Sequence, residues 1–167
     1  VDTTAPNLSL DMENFKRLVA PEGHFWADPF LFERAGKQYL FFEDYCYSKA
    51  KAVLSVAELT EDGLATPPGI AIEEDYHLSY PHIFEYNDNL YMIPETKTAS
   101  QIRVYKCVGF PNKWEFETIL FDDVLAADTT VFYHNGWWWM FTSICPKEKN
   151  GADSLHLFYS DTPLAGW

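Results

Sequence analysis

Four acidic side chains, Asp28, Glu43, Glu95 and Asp128, stand at the ends of segments that an internal repeat relates to one another. Carboxyl groups set in pairs move protons at a reacting centre when one is protonated, the other is ionised, and the fold brings both within reach. The elements that must position them are legible in three segments that align without a gap: DPFLFERAGKQYLFFE from Asp28 to Glu43, YPHIFEYNDNLYMIPE from Tyr80 to Glu95, and DTTVFYHNGWWWMFTS from Asp128 to Ser143.

Each segment holds two apolar runs around a polar pair, the pattern of a β-hairpin with a two-residue loop. The pairs are Ala35-Gly36, Asn87-Asp88 and Asn135-Gly136. Folding about them pairs Asp28 with Glu43, Tyr80 with Glu95 and Asp128 with Ser143, at one equivalent end of three equivalent hairpins. A second repeat follows, VYKCVGFPNKW from Val104 to Trp114 and LFYSDTPLAGW from Leu157 to Trp167: a strand, a Pro-containing turn and a Trp. Behind the first hairpin, Ala52–Leu59 and Ile70–Glu74 serve as strands around the Glu61-Asp62-Gly63 turn. About four strands in about fifty residues is the size of a propeller blade.

Phe30, Phe32, Tyr39 and Phe41 share one side of the first hairpin while Leu31, Leu40 and Phe42 share the other. Both faces are apolar, which suits a blade packed between neighbours better than a sandwich with a wet outer face. The expected fold is therefore an all-β propeller domain over 1–167, with blades at about 25–75, 78–122 and 126–167. Trp167 aligns with Trp114, so the third blade is expected to be unfinished. Three blades do not close a ring, and the apolar faces left over call for missing C-terminal blades or for self-association.

Of the 167 residues, 47% are hydrophobic and 17% aromatic, a strand-favouring composition. A formal charge of −13 repels phosphate backbones, so no nucleic acid partner is expected. Cys46, Cys107 and Cys145 are odd in number and far apart, so they read as buried free thiols of a reducing, cytoplasmic compartment. No stretch has the length of a membrane span. The spacing of Cys and His residues suggests no metal site.

The strings HFWADPF (24–30), YHLSYPHIF (76–84), YMIPET (91–96) and ADTTVF (127–132) resemble the N-terminal domain of the plant glucosamine inositolphosphorylceramide transferases and its bacterial relatives. That domain in turn is similar to the five-bladed propellers of glycoside hydrolase families 43, 32, 68 and 130. The resemblance implies a five-bladed β-propeller type and a carbohydrate or glycolipid partner, the domain either processing a glycan or serving as a non-catalytic scaffold or sugar-binding module attached to a glycosyltransferase. Asp28 falls at the family-43 general base, in its DP motif, and Asp128 at the Asp that orients the acid. The general acid of that scheme lies on the fourth blade, beyond this chain. Glu43 and Glu95 are then the carboxyls that could stand in as acid. No cofactor is implied, although analogy leaves room for calcium in the central channel.

Three further residues are candidates for binding substrate: Trp26 as a ring that stacks on sugar, and His82 and Tyr80 at the wall of the funnel. Each has a second reading. Asp28 and Asp128 could cap their own turns, and His82, with an apolar neighbour on either side, could be a packing residue. Trp137-Trp138-Trp139 reads as core and inter-blade packing, and Glu73-Glu74-Asp75 as a solvated blade edge.

Overall fold

The computed structural model describes residues 15–146 and 154–167. Among these, the chain forms three separate antiparallel sheets. The first has strands β1 (His24–Arg34), β2 (Lys37–Cys46) and β3 (Lys51–Thr60), with two short strands, β4 (Gly63–Leu64) and β5 (Gly69–Ile72), both paired to β3. The second runs β6 (Ser79–Tyr86), β7 (Asn89–Glu95), β8 (Gln101–Gly109) and β9 (Lys113–Asp122). In the third, β10 (Leu125–His134), β11 (Trp137–Cys145) and β12 (Ser154–Ser160) follow in order.

The hairpin turns take the conformation that their residue types suit. All six loop residues have positive φ: Ala35 and Gly36 at 53° and 73°, Asn87 and Asp88 at 48° and 58°, Asn135 and Gly136 at 52° and 86°. That is the type I′ geometry, whose twist matches the strands it joins. Ala35 is the misfit, because its Cβ crowds the backbone in the left-handed region.

The sheets pack face to face, and each interface has its own core. Phe41, Leu54 and Val56 of the first sheet meet Met92 and Tyr105 of the second, together with Leu78 from the connection between them. Phe84, Tyr91, Ile93 and Val104 of the second meet Val131, Trp138 and Met140 of the third. A sheet buried on both faces has no side to leave polar, which is why its strands read as near-continuous apolar runs. The three adjacent tryptophans divide by the alternation of the strand: Trp138 is buried between sheets, whereas Trp137 is 44% exposed.

Several expectations change. The end-to-end pairing shifts by one residue: Ala27 faces Glu43, Ser79 faces Glu95 and Ala127 faces Ser143, because a bulge interrupts each first strand. Glu74 is not part of a solvated edge, since it accepts the Tyr105 hydroxyl at 2.7 Å. The three cysteines form no disulfide among the described residues, and each is partly exposed rather than buried.

Candidate functional site

The site is made by the bulges. Asp28, Tyr80 and Asp128 occupy the same position in three sheets, and all three have left-handed backbone, with φ of 48°, 49° and 53°. With the next residue, Pro29, Pro81 or Thr129, each makes a two-residue bulge that the register leaves out opposite a single residue of the partner strand. Proline fits there because a bulge leaves a residue out of the ladder, where a missing N–H costs nothing. Left-handed backbone at a tyrosine is strained by on the order of 1–3 kcal/mol, and such strain persists only where surrounding contacts over-determine it.

Those contacts cross from blade to blade. The Tyr80 N–H donates to Asp28 Oδ2 at 3.1 Å. One blade further on, the Asp128 N–H donates to the Glu95 carboxylate. A bulge thus turns its freed N–H towards a carboxylate of the preceding blade, and four carboxyl groups from three blades interact electrostatically. Burial is the main reason that Glu43 is held up at about 7, with the negative charges of Asp28 and Glu95 adding to it. Glu95 is raised to about 6, first by burial and then by Asp128, while Lys97 and the Asp128 N–H pull it back down. Two carboxyl groups therefore titrate close to neutrality, in the range where an acid–base catalyst works.

His77 is a member of this cluster that the sequence did not single out as a site residue. Its Nδ1 accepts the Ala52 N–H at 3.2 Å, which leaves the ring proton on Nε2, 3.5 Å from Glu43 Oε1. Burial lowers its pKa. The only sequence signal was its place in the connection just before β6; its partners come from β2 and β3, far away in the chain.

The other candidates separate from one another. Trp26 lies on the face of the first sheet turned away from the second, its ring 4.8 Å from Phe42 beside a cavity of about 190 Å³ also lined by Leu18, Pro29 and Leu40. It does not meet the carboxyl cluster, because Glu43 shares the opposite face with Phe41. Tyr80 is half-buried, its hydroxyl 2.8 Å from Thr130 and its ring edge-on to Phe30. His82 is held between blades, with Nε2 2.9 Å from the Val131 carbonyl and 3.1 Å from the Val131 N–H, and Nδ1 buried without a partner among the described residues. Burial lowers its pKa, as expected of a neutral ring. Among the described residues no group of three or more His, Cys, Asp or Glu is placed to hold a metal ion.

The family model described as the N-terminal domain of glucosamine inositolphosphorylceramide transferase 1 matches residues 14–167. The chain belongs to that family. It is 36% identical over 148 residues to glucosamine inositolphosphorylceramide transferase 1 of Oryza sativa subsp. japonica, covering 86% of this chain and 20% of the relative. The Arabidopsis thaliana protein of the same name is 35% identical, with 86% and 19% covered. The chain thus spans about a fifth of the length of the curated relatives it matches. Among solved structures, a thermostable family-43 glycoside hydrolase aligns with a TM-score of 0.68 at 12% identity, over 89% of this chain and 57% of that one. An α-L-arabinofuranosidase from Lactobacillus brevis aligns at 0.62 and 16%, over 84% and 50%. At such identities the likeness is one of fold: the family domain is all-β and of the five-bladed propeller type, with three blades in this chain. No helix among its described residues is long and apolar enough to cross a membrane.

Proposed function

We propose that the domain recognises and processes a glycan through its carboxyl cluster, as part of a protein concerned with glycolipids. The observation that carries this reading is the raised pair, Glu43 at about 7 and Glu95 at about 6, beside Asp28 and Asp128. Cleavage of a glycosidic bond needs one carboxyl group that gives a proton to the leaving oxygen and another that activates water or attacks the sugar. Glu43, buried and held by its neighbours near neutrality, is suited to be the donor. Asp28, at the end of the bulged strand, is suited to be the base or nucleophile. The charges of Asp28 and Glu95 help burial to keep the donor protonated, and Asp128 in turn raises Glu95.

A second reading, a sugar-binding module without turnover, is favoured by the hydrogen bonds themselves. Asp28 and Glu95 both accept backbone N–H groups from the next blade, which suits a structural pin as well as a catalyst. The test is to assay the complete natural protein against aryl glycosides and oligosaccharides and to repeat it with Asp28→Asn and Glu43→Gln. Processing predicts turnover that falls by at least about a hundredfold in either variant, the scale of a lost general acid or base. Binding without turnover in the unaltered protein supports the module instead, and neither binding nor turnover overturns both.

A further inference from the structure

Above the carboxyl cluster stands a group of aromatic rings that the core does not use. Phe25 and Tyr45 are cross-strand partners on β1 and β2, and their rings stack 4.8 Å apart with 18° between planes. Tyr47, just beyond β2, is edge-on to Tyr45 at 5.7 Å and tilted against Phe25 at 5.8 Å. Water reaches both ends of the group: Tyr47 is 62% exposed and Phe25 36%.

Two observations set this cluster apart from scattered surface rings. The first is that it is held in place. The Tyr47 N–H donates to the Gly23 carbonyl at 3.0 Å, and the Ala50 N–H closes the turn on the Tyr47 carbonyl at 3.3 Å. The second is continuity with the site. Tyr45 lies 5.9 Å from the ring of His77, whose Nε2 faces Glu43. Its alternation along the strand puts Tyr45 on the same face as Glu43.

We infer that Phe25, Tyr45 and Tyr47 form a stacking subsite for a sugar ring next to the unit held at the carboxyl cluster, so that the domain binds chains of two or more sugars in preference to a single one. The inference rests on the reading of that cluster as a glycan site. The C–H face of a sugar ring is apolar with slightly positive hydrogens, and it complements the negative face of an aromatic ring. Rigid aromatic side chains present that face at little entropic cost. Three rings are too small a surface for a stable protein interface, which needs roughly 1,000 Å². They are about the size of one sugar.

The experiment is isothermal titration calorimetry on the complete natural protein with xylo-, arabino- and glucosamine oligosaccharides of one to four units. Affinity for at least one series is expected to rise between one and three units. In Tyr47→Ala and Tyr47→Leu that rise should shrink by roughly five- to tenfold, the scale of one aromatic stacking contact, whereas Tyr47→Phe should keep it. Leucine retains apolar bulk without the ring face, so its failure beside the success of phenylalanine separates stacking from packing, and equal melting temperatures confirm the fold. An undiminished rise in Tyr47→Ala overturns the platform and leaves the glycan site standing. No binding of any probe by the unaltered protein overturns both readings.

Discussion

Glu43 is where a single residue links stability, protonation and function in this domain. Its pKa in the folded chain, about 7, stands above the ordinary 4.5. Between those two pH values the folded protein holds a proton that the unfolded chain has lost. The stability associated with that proton is fully present below pH 4.5 and is lost as pH rises through 7. Glu43→Gln removes the cost of ionising a buried group, so the variant should become more stable than the parent as pH rises, by on the order of 2 kcal/mol at pH 8. Denaturant melts of both proteins at pH 4.5 and pH 8 measure this, and a stability difference independent of pH would show that Glu43 is not desolvated. Glu95→Gln should lower the pKa of Glu43, because the Glu95 charge helps to raise it. The shift is readable by carboxyl NMR titration, and in the turnover reading the alkaline limb of the pH–rate profile should move down with it.

At the scale of the element, the three bulged hairpins are one device used three times. Pairing within each hairpin sets the register, the type I′ turn sets the twist, and in the second and third blades the bulge aims a backbone N–H across to the preceding blade. The first turn carries a flaw that the others lack. Ala35 has φ of 53°, a conformation that asparagine tolerates better than alanine. Ala35→Asn should therefore stabilise the domain by about 0.5–1 kcal/mol, seen as a higher melting temperature with no change in glycan binding. His82 is the opposite case. Its Nε2 lies against the Val131 backbone, 2.9 Å from the carbonyl and 3.1 Å from the N–H, and ties the second blade to the third; His82→Leu would leave a Val131 backbone group without this partner. A loss of roughly 1–3 kcal/mol is expected, and a neutral result would mean that water or a shift of β10 replaces the bond.

Considered as a whole molecule, the chain has two finished interfaces and an exposed apolar face on its third sheet. Leu155, Leu157 and Tyr159 are 72%, 52% and 60% exposed on one face, and Phe132 and Trp137 add to them. Such a patch is rare on a stable monomer. The isolated 19.3 kDa chain is accordingly expected to self-associate or to bind a hydrophobic dye. Sedimentation as a single 19.3 kDa species without dye binding would show that the face is covered in some other way.

The repeat, the hairpins and the propeller class were legible in the sequence because they depend on local facts. A type I′ turn follows from two residues that tolerate positive φ, and a blade follows from strand-length apolar runs at a regular spacing. Asp28, Glu43, Glu95 and Asp128 could be picked out for the same reason, as equivalent ends of equivalent hairpins. What the sequence could not show was the bulge. A residue omitted from the ladder leaves no mark on an apolar pattern, so the pattern pairs Asp28 with Glu43, whereas Glu43 faces Ala27. His77 carries no such signal, since only the packing of the β5–β6 connection against β2 and β3 brings it to Glu43. Trp26 read as a sugar platform from its neighbours in the chain, yet strand alternation turns it to the far face, while Phe25, one residue earlier, shares the face of Glu43. The carboxyl pKa values belong to the tertiary structure alone, because burial and the charges of other blades set them. Residue types and spacing determined which groups were available; the packing of three sheets decided which of them meet.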